Sequence, residues 1–275
     1  MARKKKKPPL PELSPGNWVI DTHCHLDMLS DDKELDTIIH SANEAGVKQI
    51  ITVGIDLQSS RKAVQYAEQY PGVYATIGVH PHNVADITDA YIEQIIKLAD
   101  HPKVVAYGEI GLDFVKLYAP KETQLEQFER QVQLAKKLSL PLVIHDREAH
   151  DDILHILKKY LSFPAGGVMH CFSGNLEYAK KIIDLGFYIS IPGVVTFNKA
   201  LDLQKVAQQI PIDVLLIETD APFLAPVPMR GRKNKPDYVL YTAKKIAELQ
   251  GMTLDDVAYI TTENGAKLFL DRTKN

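Results

Sequence analysis

The chain has 275 residues, of which 45% are hydrophobic and 24% charged, a globular composition long enough to bury one sizeable core. Its two cysteines, Cys24 and Cys171, lack CxxC spacing and no apolar leader or long apolar run accompanies them. A secreted disulfide framework and a membrane span are therefore not expected, and the reading is a cytoplasmic protein with no membrane association and no obligate protein partner. Residues 1–16 carry five cations against one acid, a net of +4, which leaves −7 for the rest of a chain whose total is −3, so any contact with a polyanion must be local.

Residues 1–16 (MARKKKKPPLPELSPG) mix a lysine run with prolines and are predicted to form a flexible basic tail. It is either a solvated leader or an electrostatic tether to nucleic acid or another anionic surface. Residues 17–275 read as a single domain in which short apolar, β-branched runs alternate with stretches of helical period. A strand at 19–23 runs into Asp21-Thr22-His23-Cys24-His25, and a helix at 33–45 follows, stopped by Gly46. A strand at 49–53 and a helix at 59–69 come next. The strand at 74–79 leads into His80-Pro81-His82 and is followed by a helix at 89–99. The fourth strand, 104–109, ends in Glu109 and precedes a helix at 121–138. The fifth, 142–145, ends in His145 and precedes 149–160. The sixth, 167–171, contains His170 and precedes 176–185, stopped by Gly186. The seventh, 187–191, precedes 199–209. The eighth, 214–219, runs into Glu218-Thr219-Asp220 and precedes 237–249, stopped by Gly251, and a last helix at 254–270 caps or flanks the domain.

Strand and helix in alternation imply parallel pairing with right-handed crossovers. Eight such units favour closure into an α/β, (β/α)8 TIM barrel over an open doubly wound sheet. In such a barrel the functional site lies at the C-terminal ends of the strands, which is where this sequence places its metal-binding residue types. His23 and His25 are two apart on one strand and so share a face. With Glu109, His145, His170 and Asp220 they make four imidazoles and two carboxylates, each at a strand end. Six ligands exceed the four of one tetrahedral zinc. Two divalent ions use all six if Glu109 bridges them, with His23, His25 and Asp220 on one and His145 and His170 on the other. Asp220 can also accept a proton from water as a general base.

Strand alternation points Cys24 away from His23 and His25, and both cysteines read as small packing residues. No Walker or GxGxxG loop is present, so phosphate binding falls to metal and basic side chains. The basic candidates are Arg147, two residues past His145, and the run Arg230-Gly231-Arg232-Lys233-Asn234-Lys235 after the eighth strand, with Arg232 the favoured contact. His40, His101, His150 and His155 read as surface or packing residues; His82 is either mouth-lining or, as the favoured reading, of the same kind.

The segments DTHCHLD (21–27), IGVHPH (77–82), GEIGLDF (108–114), PLVIHDREAHDD (141–152), MHCFSG (169–174), ETDAPFL (218–224), RGRKNKP (230–236) and TENGAKLF (262–269) occur together and in this order. With them the chain resembles the TatD family of metal-dependent deoxyribonucleases, within the amidohydrolase-like barrels. The resemblance implies a two-metal (β/α)8 barrel with His23 and His25, Glu109, His145, His170 and Asp220 as ligands, the same set reached from strand ends. It further implies that His80 contacts substrate or phosphate, and it matches Arg147 to the arginine of the family's HxR motif. The basic leader lies outside the family pattern.

The reaction this implies is 3′→5′ exonucleolytic hydrolysis of DNA phosphodiesters, using two divalent ions (Mg2+, Mn2+ or Zn2+) with Asp220 and Glu109 as catalytic residues. His80, Arg147 and Arg232 would position the phosphate of a DNA strand end. An RNA exonuclease or an aminoacyl-tRNA or other ester deacylase fits the same ligands. A non-catalytic nucleic-acid-binding barrel would show lost ligands, and none is missing.

Overall fold

The computed structural model describes residues 9–29, 32–85 and 87–271. Eight strands carry the fold: β1 (Val19–Cys24), β2 (Val47–Val53), β3 (Val73–Ile77), β4 (Val104–Asp113), β5 (Leu142–Arg147), β6 (Gly167–Met169), β7 (Tyr188–Ile191) and β8 (Leu215–Ile217). All are parallel and pair in sequence order. The ring closes just past β8. There Asp220 donates its backbone N–H to His23 O at 2.9 Å, and His25 donates to Ala221 O at 2.8 Å. The closure is thus made by the segment that carries Asp220, and the expected TIM barrel is the fold.

The helices are α1 (Leu26–Leu29), α2 (Asp32–Glu44), α3 (Leu57–Gln69), α4 (Asp89–Leu98), α5 (Lys121–Lys137), α6 (His150–Lys159), α7 (Leu176–Ile183), α8 (Leu201–Gln209), α9 (Val239–Gln250) and α10 (Leu254–Phe269). Side-chain caps start several of them: Asp56 on α3, Thr88 on α4, Asn175 on α7 and Thr253 on α10. Gly251, at φ +67°, closes α9 in the left-handed conformation. No helix among the described residues is long and apolar enough to cross a membrane.

Two apolar layers hold the barrel. The larger lies between strands and helices, where Ile77, Tyr107, Phe128, Ile182 and Phe187 are fully buried. The smaller joins residues from all eight strands, namely Ile20, Ile51, Tyr74, Val105, Val143, Val168, Tyr188 and Leu216, to Leu268 and Phe269 at the end of α10. Ile20, Tyr74, Val105, Val143 and Tyr188 are the first or second residue of their strands, so α10 plugs the end of the barrel opposite the mouth.

Three departures from the sequence reading have local causes. β4 continues four residues past Glu109 and stays paired with β5 to the Asp113–Arg147 step. Its glycines allow this: a Cβ on Gly111 (φ +147°) would lie 1.9 Å from His145 O. β6 and β8 end earlier than expected, at Met169 and Ile217, so His170 and Asp220 stand just beyond the ladder. The third departure is at the N-terminus. Residues 1–8, with the basic run, lie outside the described residues, whereas 9–16, read as part of a flexible tail, are docked. Tyr241 donates its hydroxyl to Pro9 O at 3.1 Å, Leu10 packs on Met229, Tyr238 and Tyr241, and Leu13 packs on the main core. Ser14 N–H reaches Asp255 Oδ1 at 3.0 Å. Charge and proline content masked two leucines that find apolar partners.

Candidate metal centre

At the mouth, six of the predicted residues and His80 converge. His23 and His25 come from the end of β1. Cys24 between them is fully buried and turned away, its Sγ 3.8 Å from Ala221 O. Glu109 comes from mid-β4, His145 from β5, and His170 and Asp220 from the turns after β6 and β8. Asp220 sits at φ +55°, a left-handed conformation that aspartate tolerates better than most side chains.

The two oxygens of Glu109 face two different groups. Oε2 lies 3.4 Å from His23 Nε2 and 3.8 Å from His25 Nε2. Oε1 lies 2.8 Å from His170 Nε2, 3.0 Å from His145 Nδ1 and 3.4 Å from His80 Nε2. Asp220 Oδ1 completes the first group, 3.3 Å from His25 Nε2 and 3.9 Å from His23 Nε2. The donor atoms cluster in three overlapping triads, His23/His25/Asp220, His23/Glu109/His170 and His80/Glu109/His145, each with its atoms within 4.8 Å of one another. The rings of His23 and His170 stack with centroids 3.8 Å apart.

Packing this much polarity in the interior is costly unless it is satisfied. Both ring nitrogens of His23 and His170 are buried without a well-formed hydrogen bond, as are His25 Nδ1 and His145 Nε2. Each such group costs about 1–3 kcal/mol. Nitrogen and carboxylate donors aimed at common points are what a first-row divalent ion takes, and the residues present fit a binuclear site. The charges respond to one another as a ligand cluster should. Burial favours a neutral Glu109, but the positive field of His170 and the hydrogen bonds from His145 and His170 hold it well below the usual carboxylate range. Burial likewise opposes charge on His170, but Glu109 and Glu218 raise it well above the ordinary histidine value. His80 has no such net compensation, and burial drives it well below that value.

Residues 20–270 match the family model described as TatD related DNase. The chain belongs to the TatD family. It is 44% identical over 251 residues to the uncharacterized metal-dependent hydrolase YabD of Bacillus subtilis (strain 168), covering 91% of this chain and 98% of that protein. It is 36% identical over 242 residues to the 3'-5' ssDNA/RNA exonuclease TatD of Salmonella typhimurium (strain LT2), covering 86% and 93%. The crystal structure of YJJV, a TatD homologue from Escherichia coli K12, superposes with a TM-score of 0.87 at 32% identity, covering 91% of this chain and 97% of that one. This chain is accordingly a metal-dependent hydrolase.

Around the TatD cluster stands a set of buried carboxylates that the sequence reading did not single out. Asp113 accepts from Val115 N and Lys116 N at 2.9 and 2.8 Å, and its Oδ2 lies 2.8 Å from His82 Nε2 and 3.4 Å from His145 Nε2. It therefore turns Nδ1 of His145 towards Glu109, and it gives His82 a role behind the site. Glu218 accepts from Cys171 N at 2.7 Å and stands 3.4 Å from His170 Nδ1. Asp21 accepts from the backbone and hydroxyl of Thr219 at 2.9 and 2.6 Å, and burial pushes its carboxyl up to about 8. His150, read as surface or packing, bonds Asp146 at 2.8 Å and stacks on Tyr178, bracing β5 beside His145. Asp113, Glu218 and Asp21 all fall within the quoted family segments, so their only sequence signal was proximity to a ligand. Of the predicted phosphate contacts, His80 is in the cluster. Arg147 is half exposed, 3.9 Å from Asp113 Oδ2. Arg232 is exposed on the loop after β8, and its charge bears on Tyr241. Among the described residues no ion pair or hydrogen bond ties the Arg232 side chain to the cluster.

Proposed function

We propose that this chain is a 3′→5′ exonuclease that hydrolyses DNA phosphodiester bonds with two divalent ions (Mg2+, Mn2+ or Zn2+) bound at the mouth. The observation that carries the reading is the division of Glu109, with one oxygen facing His23 and His25 and the other facing His145 and His170. His23, His25 and Asp220 would hold one ion, His145 and His170 the other, with Glu109 shared. Ions held there supply Lewis acidity to a phosphoryl oxygen and make water more acidic.

The chain's own groups do the rest. Burial favours a neutral Asp220, but the bond and charge of His25 hold its carboxyl below the usual range, so it is ionised at neutral pH and available to accept a proton from the attacking water. His80, at the inner wall, and Arg147, at the rim, would hold phosphoryl oxygens. The guanidinium offers a bidentate fork. The Salmonella relative's name extends the substrate to RNA, and single-stranded RNA is the second reading. Free Cys24 and Cys171 suit work in a reducing cytoplasm.

The test is product analysis on end-labelled single-stranded DNA and RNA with Mg2+ or Mn2+, comparing the natural chain with Glu109→Ala. Shortening from the 3′ end that disappears in the variant is the expected result. Intact strands of both kinds, from protein shown to carry two ions, would move the substrate to another ester.

A further inference from the structure

The exposed apolar residues of the barrel are not scattered. Of the nine large hydrophobic side chains that stand exposed among the described residues, six lie on two loops at the mouth: Val115, Leu117 and Tyr118 between β4 and α5, and Phe223, Leu224 and Val227 after β8. β4 and β8 are four places apart in a ring of eight, so the two loops stand on opposite sides of the mouth. Single apolar residues on a surface need no explanation, but a grouping at the rim of a charged site marks contact with a ligand.

Each loop brings one aromatic ring to the histidine cluster. Tyr118, 66% exposed, meets His82 in a T-shaped contact with centroids 4.8 Å apart, and His82 in turn meets His80 at 4.4 Å and His145 at 6.3 Å. Phe223, 49% exposed, meets His25 in the same way at 5.9 Å. The rings therefore flank the two groups that Glu109 faces, Phe223 on the side of His25 and Tyr118 on the side of His145. Neither ring belongs to an apolar cluster of the interior. Their backbones, by contrast, are fixed. Phe223 donates its N–H to Asp220 O at 2.8 Å, and its carbonyl accepts from Asn234 Nδ2 at 2.7 Å. Tyr118 donates its N–H to Lys116 O at 2.9 Å, and the neighbouring Ala119 O accepts from buried Gln124 Nε2 at 3.0 Å. An open ring on a fixed backbone offers a flat ligand a face at little ordering cost.

We propose that Tyr118 and Phe223 are stacking platforms for the two nucleobases that flank the scissile phosphodiester, one ring to each base, a role that rests on the nuclease reading above. A cut at the last linkage of a strand needs a nucleotide on each side of the phosphate. With that phosphate at the Glu109 cluster, the two bases fall to the loops on either side. Stacking tolerates any sequence because every base has a π-face, so the pair would grip a strand end without choosing its bases.

The experiment is a fluorescence titration of a short oligothymidylate with cleavage-resistant phosphorothioate linkages, carrying 2-aminopurine as either the last or the second-last base, with metal-loaded protein. Stacking on a ring quenches 2-aminopurine, a signal that a merely structural loop residue would not move. The natural chain should quench both positions. Tyr118→Ala and Phe223→Ala should each relieve the quench at one position, a different one for each, and weaken binding about tenfold. Tyr118→Phe, which keeps the ring, should behave as the natural chain. On a strand with an abasic residue at the relieved position, the alanine variant and the natural chain should bind within about twofold of each other, because the partner is already gone. Unchanged quenching in both alanine variants would overturn the platforms. Equal losses of affinity for intact and abasic strands would reduce the rings to loop supports, and relief at both positions by one substitution would overturn the division of one ring to each base. Ring-dependent quenching with no cleavage of an ordinary phosphodiester strand would sink the nuclease reading and leave the platforms standing, whereas cleavage without such quenching would do the reverse.

Discussion

At the closed end of the barrel, Ile20, Ile51, Val105, Val143, Val168 and Leu216 meet Leu268 and Phe269. A few residues further along the same strands, or just past them, His23, Glu109, His145, His170 and Asp220 meet one another. The first set is apolar and makes no electrostatic demand. The second buries charge and leaves ring nitrogens without hydrogen bonds. A parallel barrel places all strand starts at one end and all strand finishes at the other, so stability and chemistry can be assigned to different ends of the same eight segments. Substitutions should therefore separate the two properties.

The largest effect is expected from Glu109→Gln. The amide keeps the shape but loses the charge that both histidine groups face, and hydrolysis should fall by on the order of a thousandfold, with bound metal lost in step. Activity assays paired with elemental analysis check this; a variant that keeps two ions and its rate would refute the bridging role. Phe269→Ala is the converse. Emptying a fully buried ring position should cost about 3–5 kcal/mol in urea unfolding while leaving the rate per folded molecule and the metal content intact. A rate that falls together with stability would mean the two ends are not separable.

The closed end and the ligands were legible in the sequence for different reasons. The apolar strands could be read because period and β-branching survive burial, and the helix stops because Gly46, Gly186 and Gly251 adopt positive φ. The ligands could be read because imidazoles and carboxylates at strand ends have few other uses. Strand lengths near the mouth could not. The reach of β4 to Asp113 depends on Gly111 lying against His145 O, a tertiary contact with no local signature. The supporting carboxylates were missed for a related reason. Asp113, Glu218 and Asp21 look like any acid beside a ligand until their partners from other strands are known. The docking of Leu10 depends on Met229 and Tyr241, more than two hundred residues away.

Asp113 allows an intermediate test. It belongs to the mouth by position and to the scaffold by role, since it anchors the loop through Val115 and Lys116 while holding His145 and His82. Asp113→Asn should weaken metal affinity about 10–100-fold, as loss of a ligand's orienting partner does. Most of the rate should return at saturating metal, because the ligands themselves remain. A metal titration of activity separates this from simple unfolding; unaltered affinity would leave Asp113 a loop anchor only.

The smallest effect should come from the cations at the rim, and its internal order is informative. Arg147 follows His145 by two residues and lies 3.9 Å from Asp113, so its guanidinium is held beside the cluster. Arg232 is exposed, where salt screens it, and among the described residues no ion pair or hydrogen bond fixes its side chain. Arg147→Ala should therefore raise KM for a short strand by about tenfold, the loss of one oriented phosphate contact. Arg232→Ala should change it by about twofold or less, within the range of exposed ion pairs. Both belong to the mouth, yet only one is tied to the buried carboxylates that organise it. If the two substitutions prove equal, the site recognises its substrate by summed charge at the rim. If they differ in the expected direction, recognition begins where the buried cluster reaches the surface.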